Sequence, residues 1–250
     1  MVWRDTSLLG RKRSLKPNHV MGVLGRSEDV LNTNDIGNLM AAVESIPLFP
    51  LPGTVFIPHT LLPLHVFEPR YRDLVDDVMG GSKILAVPRL RPGWERQYDG
   101  SPAVFETAGF GEIIQYDPLP DGRANIVIAG LGRLRIRREL QPDSLYRVAE
   151  GSIVSDTYPE GGARALDASL RRLRMMLAQI MAGRLGLTER LSPLLDKHLE
   201  AAQLVNGLGN MLLPDVDARQ RFLETRSIVT RVELVETMLA GALIDAVAHA

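Results

Sequence analysis

Residues 46–80 read IPLFPLPGTVFIPHTLLPLHVFEPRYRDLVDDVMG, and their reading decides the fold. Short apolar runs are cut by Pro47, Pro50, Pro52, Pro58 and Pro63. Proline fixes φ and lacks a backbone N–H, so in sheets it belongs to strand starts, edges and turns. Residues 46–49, 54–57 and 61–67 therefore read as short strands with tight corners, as in a small barrel. Pro52-Gly53 marks a turn. The pattern then changes at Glu68-Pro69. Proline suits the first helical turn, and an acid suits the positive helix N-terminus. Tyr71, Leu74, Val75 and Val78 follow at helical spacing, and Gly80-Gly81 ends the helix.

Two stretches carry a family resemblance. PLFPLPGTVFIPHTLLPLHVFEPRYRDLV (47–75) resembles the start of the N-terminal, substrate-binding LON domain of Lon proteases. GFGEIIQYDPLPDGRANIVIAGLGRLRI (109–136) resembles a later hairpin of that domain. The likeness extends over roughly 45–243, more loosely in the last, helical part. Its signature positions here are Pro47, Leu48, Phe49, Pro50 and Pro52, then Pro63, Leu64, Phe67, Glu68, Pro69, Arg70 and Tyr71. Downstream they are Gly122, Gly130, Gly132 and Arg133. Their expected role is mainly structural: Glu68 and Arg70 flank a strand-to-helix corner where a charge pair can fix the turn.

Outward from this core, residues 83–90 (KILAVPRL) read as a strand and 91–103 as a polar loop holding Trp94 and Tyr98. Residues 103–116 alternate weakly, and Gly109 and Gly111 suggest bulges or close backbone approach. PLPDGR (118–123) is a hairpin loop in which Asp121-Gly122 supplies positive φ. Residues 124–129 and 131–140 read as two further strands, and 145–154 closes the β part. Arg133, Arg135 and Arg137 share one strand face, expected as a solvated outer face. A basic stripe for acidic peptide or RNA is the sharper alternative.

Beyond Pro159, Gly161 and Gly162 the pattern is helical. Leu166, Leu170, Leu173, Leu177, Ile180, Met181 and Leu185 form an i, i+3/i+4 stripe. Shorter helices are expected over 188–206, a break at GLGNMLLP (207–214), then helices over 217–225 and 228–246 with Asp215 as N-cap. Helices on short loops make a bundle. The expected class is α+β: a small PUA-like β-barrel with one inserted helix, followed by a C-terminal helical bundle. The expected division is a basic disordered tail over 1–42, the barrel over 43–156, a linker over 157–162 and the helical unit over 163–250. Met21 and Met40 are read as candidate starts for translation in the alternative to a disordered tail.

Composition narrows the function. The chain has 250 residues, 45% of them hydrophobic, with a net charge of −1 and no cysteine. The near-zero charge gives no general reason to bind nucleic acid or an anionic membrane. The missing cysteines exclude disulfides, thiolate zinc sites and a cysteine nucleophile, and fit a cytoplasmic protein. No apolar run approaches the ~20 residues that span a bilayer. No G-x-x-x-x-G-K-[ST], G-x-S-x-G or H-E-x-x-H occurs. His59 and His65 are close in sequence, separated by a proline-broken strand, without a third metal ligand, and His65 is expected as a packed or hydrogen-bonded residue at the core's edge. No cofactor and no catalytic residue is expected.

The resemblance implies a stand-alone, non-catalytic substrate-binding domain. Unfolded or damaged polypeptide would be its partner, as an adaptor to a separate Lon-type protease or as a holdase. Leu61, Leu62 and Leu64 are candidate client contacts. The resemblance also implies self-association through the helical part. The competing readings are an ATP-independent peptidase, which needs a nucleophile and base not found here, and an RNA-binding PUA-like protein.

Overall fold

A computed structural model describes residues 33–97, 100–141, 143–183 and 191–248. Helix α1 (Thr33–Glu44) leads into β1 (Ile46–Leu48), β2 (Leu61–Val66), α2 (Pro69–Gly80) and β3 (Ile84–Val87). The long strands β4 (Thr107–Pro118) and β5 (Ala124–Leu140) follow, then β6 (Arg147–Val154). The remainder is helical: α3 (Asp167–Gly183), α4 (Ala201–Leu212), α5 (Val216–Glu224) and α6 (Ile228–Ala248). This is an α+β chain with one mixed sheet.

The strand order is β2-β5-β4-β3-β1-β6, and β5 also pairs with β6. All pairs are antiparallel except β1 with β3. Pairing therefore runs in a circuit through β5, β4, β3, β1 and β6, with β2 appended to β5. One strand serves both ends of the circuit because β5 is long. Its residues 124–135 pair with β4 and residues 133–140 with β6. The two strands expected over 124–129 and 131–140 are thus one. Gly130 and Gly132 do not divide it; they sit at a register shift, Phe110/Gly111 on β4, which lets β5 bend from one partner to the other.

Residues 54–57 correct a second expectation. They form no strand, although Val55, Phe56 and Ile57 are buried. They cross close over β4: a Cβ at Gly109 would overlap the Phe56 carbonyl oxygen. At the β4–β5 hairpin Gly122 has φ 76, and the Leu119 carbonyl accepts from its N–H.

Helix α2 forms as its spacing requires, with Tyr71, Leu74, Val75 and Val78 buried. They pack against Phe49, Val66, Leu85, Ile126 and Ile128 in one core. A second core joins Ile46, Leu48, Phe110, Leu134 and Ala149 to Val43 of α1. The chain is thus already helical where a tail to residue 42 was expected; the part of that tail before Thr33 lies outside the described residues. Val43 is 3% exposed, so burial of an apolar side chain holds the end of α1 on the sheet.

The third core is the helical bundle, with Val55 and Ile57 of the β part inserted into it. The break expected at 207–214 is confined to its end: α4 runs through Gly207 and Gly209 to Leu212, and extended Leu213 with Pro214 separates it from α5. These glycines are packing positions: the Phe222 ring lies 2.5 Å from where a Gly209 Cβ would stand. Asp215 caps α5 by accepting from Ala218 N–H (2.7 Å). Leu166, Leu170, Leu173, Leu177, Ile180 and Met181 are buried as the stripe predicts; Leu185 and Tyr98 lie outside the described residues.

Candidate functional site

Strand β2 lies at the end of the sheet order, and among the described residues it pairs with β5 alone. Its other edge is unpaired among those residues. Pro63 fits there because a proline in a sheet points its donorless nitrogen away from the ladder. Side chains alternate along the strand. Leu62 and Leu64 pack with Val66 against the α2 core. Of the candidate contact residues, only Leu61 takes the other face, with Pro63 and His65. His65 Nδ1 lies 2.8 Å from Asn125 Oδ1 on β5, the edge hydrogen bond expected of it. Phe67 follows, 49% exposed, its ring stacked on His65 at 6.1 Å. Half-buried Val127, opposite Pro63, continues this face. Leu61, Pro63, Phe67 and Val127 thus line a sheet edge with apolar side chains, and His65, Asn125 and Arg123 give it a polar end.

The signature residues of the opening stretch build the corner beneath. Phe49 stacks on Tyr71 with centroids 4.1 Å apart and planes 13° from parallel. Tyr71 Oη donates to the Pro50 carbonyl (3.3 Å). Arg70 lies over the Tyr71 ring at 4.7 Å, and its Nη2 is 2.9 Å from Glu68 Oε2. Pro47 and Leu48 belong to β1, and Pro69 opens α2. Each contact fixes the entry of α2 onto the sheet.

Arg133 departs from the solvated face expected of it. It is 3% exposed, while Arg135 and Arg137 on the same strand are exposed. The helical bundle covers this end of the strand. There Asp156 accepts a hydrogen bond from Arg133 of β5 through one oxygen and forms an ion pair with Arg231 Nη2 of α6 through the other, the latter at 2.6 Å. Arg231 is fully buried and also donates to Asn206 Oδ1 of α4. That bond leaves the Asn206 amide nitrogen to donate to His59 Nδ1 (3.0 Å), so His59 is neutral with its proton on Nε2. Burial is the main reason that the His59 pKa falls to about 4; Asp156 opposes the fall, and Arg133 and Arg231 add to it. Burial and then Arg231 lower Arg133 to about 10, so it stays charged at neutral pH. Two further bridges tie the units: Arg89 to Asp217 (2.5 Å) and Gln220 Nε2 to the Thr107 carbonyl (3.0 Å).

Sequence reasoning missed this junction because its members are far apart in the chain. One signal was present: Asn206 interrupts an apolar helix stripe in AAQLVNGLGNMLL, and a buried amide needs a partner. The junction is filled by its own charges and offers no reacting group to solvent. Among the described residues, no three His, Asp or Glu side chains are grouped to hold a metal ion. Nor is any helix there long and apolar enough to cross a membrane.

The fold agrees with the comparisons. A family model described as the ATP-dependent protease La (LON) substrate-binding domain matches residues 45–241. The chain belongs to this family. It is 22% identical over 197 residues to a Lon protease of Desulfosudis oleivorans, covering 78% of this chain and 24% of that one. It is 29% identical over 138 residues to Lon protease 1 of Herpetosiphon aurantiacus, covering 55% and 17%. The chain thus spans about a quarter or less of the length of these curated relatives. A crystal structure of a Lon N-terminal domain protein from Xanthomonas campestris superposes with TM-score 0.53 at 25% identity, over 76% of this chain and 96% of that one. The N-terminal domain of a Mycobacterium avium complex Lon protease superposes with TM-score 0.58 at 17% identity, over 78% and 98%.

Proposed function

We propose that this chain is a non-catalytic protein-binding module that recognises unfolded or damaged polypeptide in the cytoplasm, as an adaptor to a Lon-type protease or as a holdase. The supporting observation is the unpaired β2 edge with Leu61, Phe67 and Val127 beside it. Unfolded chains carry exposed apolar side chains and unpaired backbone, and a strand edge flanked by apolar side chains matches both. This reading moves the client contact from Leu62 and Leu64, which are engaged with the core, to Leu61 and Phe67. We take the circuit of strand pairing as a small PUA-like barrel, and residues 43–156 and 163–250 as its two structural units. Self-association through the helical unit is part of the proposal, with the exposed Leu234 and Ile244 of α6 as its contact. The signature residues around Tyr71 act by holding α2, not by touching the client.

The test is fluorescence anisotropy of a labelled, permanently unfolded protein, titrated without nucleotide at low and high salt. Binding that persists at high salt and is lost in a Leu61→Ser/Phe67→Ser variant supports the reading. Binding that survives the substitutions removes β2 from it, and cleavage of the probe would restore the peptidase.

A further inference from the structure

Among the described residues the sheet has a second stretch of unpaired edge, at the far end of β5. Its pairing with β4 ends at Arg135–Thr107, and one further bond runs from Ile136 N–H to the Glu106 carbonyl. From residue 137 to Leu140 the described partners lie on the β6 side only. Here the segment leading into β4 diverges from β5. The gap is a cleft of about 620 Å³ between residues 103–106 and 135–139. A register shift at Arg137 breaks the alternation of side chains, so 137, 138 and 139 are all exposed.

Cations outnumber carboxylates around this edge. Four guanidiniums (Arg91, Arg135, Arg137, Arg138) and two carboxylates (Glu106, Glu139) line the cleft. Arg137 and Arg138 reach Glu150, and Glu139 is held by Arg147. Among the described residues Arg91 and Arg135 have no acidic partner. Arg91 Nε donates to the Val104 carbonyl (3.0 Å), and its guanidinium lies 5.4 Å from the Phe105 ring centroid, which holds the side chain over the cleft. Val104 and buried Ile136 provide an apolar floor.

We propose that this cleft binds an extended polypeptide segment rich in aspartate and glutamate, which adds a short strand to β5 at 137–139. The backbone edge supplies main-chain hydrogen bonds, and Arg91 and Arg135 select for acidic side chains. Unlike the β2 edge, this one contains no proline, so every residue keeps its N–H. A nucleic acid would use the same cations but has no use for a strand edge, which favours the peptide. The site is separate from the β2 face and does not depend on it.

The experiment titrates the protein into a fluorescein-labelled peptide of alternating glutamate and valine, its lysine–valine counterpart, and a labelled uridine oligonucleotide. The acidic peptide is expected to bind, and the lysine peptide not. Arg91→Glu/Arg135→Glu should weaken binding by about ten-fold or more, since two attractive exposed contacts become repulsive. Phe67→Ser should leave it unchanged. With peptide bound, amide exchange at residues 137–139 should slow. Circular dichroism of the double variant checks that it folds; if it does not, Arg135→Gln is the variant titrated. Affinity unchanged in the folded variant, amides indifferent to the peptide, or an oligonucleotide that binds in the acidic peptide's place would each overturn the proposal.

Discussion

His59 Nδ1 accepts a hydrogen bond from the Asn206 side-chain amide at 3.0 Å, across the boundary between the sheet and helix α4. The bond requires a neutral imidazole, and His59 is held neutral until its pKa of about 4. An unfolded imidazole takes its proton near the ordinary value of 6.5. Between these values the unfolded chain binds the extra proton, so stability is full above pH 6.5 and falls as pH drops toward 4. The loss from this residue is roughly 3 kcal/mol by pH 4. Thermal unfolding followed from pH 7.5 to 4 should show it. His59→Asn should flatten that slope, because asparagine keeps an acceptor and tolerates the φ of 62 found here. An equally steep slope in the variant would place the titration elsewhere.

Among the described residues Asp156 is the single carboxylate paired with both buried guanidiniums, Arg133 and Arg231. Asp156→Ala should destabilise the protein by about 3–5 kcal/mol, since it leaves buried positive charge uncompensated. Adding Arg231→Met should recover part of that loss, as it removes one of the stranded charges. Urea unfolding of the single and double variants measures both. A single variant within about 0.5 kcal/mol of the parent, the range of ordinary surface substitutions, would show that the junction carries no stability.

What was legible in the sequence followed from local chemistry. The 3.6 period after Glu68-Pro69 located α2, its buried face and its start. Asp121-Gly122 located the hairpin, and Asp215 located a helix cap. The errors came where a distant element decides a residue's role. Arg133 alternates like Arg135, and nothing nearby says that α6 covers one and not the other. Gly207 and Gly209 read as a helix break because glycine opposes helix locally, whereas here its small size admits Leu194 and Phe222. Leu62 and Leu64 read as a free patch because only sheet register says which leucines face the core.

Gly209 shows how packing overrides that local preference. Alanine has the higher helix propensity, which alone would stabilise α4. Yet a Cβ at this position stands 2.5 Å from the Phe222 ring, a fully buried side chain that has little room to move. Gly209→Ala should therefore cost about 1–3 kcal/mol. Gly53→Ala, where no atom lies within 4 Å, should stay within about 0.5 kcal/mol. Chemical denaturation orders the two, and a stabilised Gly209→Ala would mean that propensity outweighs packing here.

The division of labour between the Tyr71 corner and the β2 face gives the last prediction. Tyr71 is 8% exposed and spends its ring on Phe49 and its hydroxyl on the Pro50 carbonyl. Tyr71→Phe loses one hydrogen bond, which should cost about 1 kcal/mol. Tyr71→Ala loses the ring as well and should cost about 3–5 kcal/mol. Phe67, half exposed, should tolerate serine within about 1 kcal/mol, because little of its surface is removed from water in the folded state. Binding of the unfolded-protein probe should follow the opposite order. Tyr71→Phe should bind as the parent does, and Phe67→Ser should bind weakly while fully folded. Weak binding by Tyr71→Phe with a normal melting temperature would put the client at the signature corner instead of the strand edge.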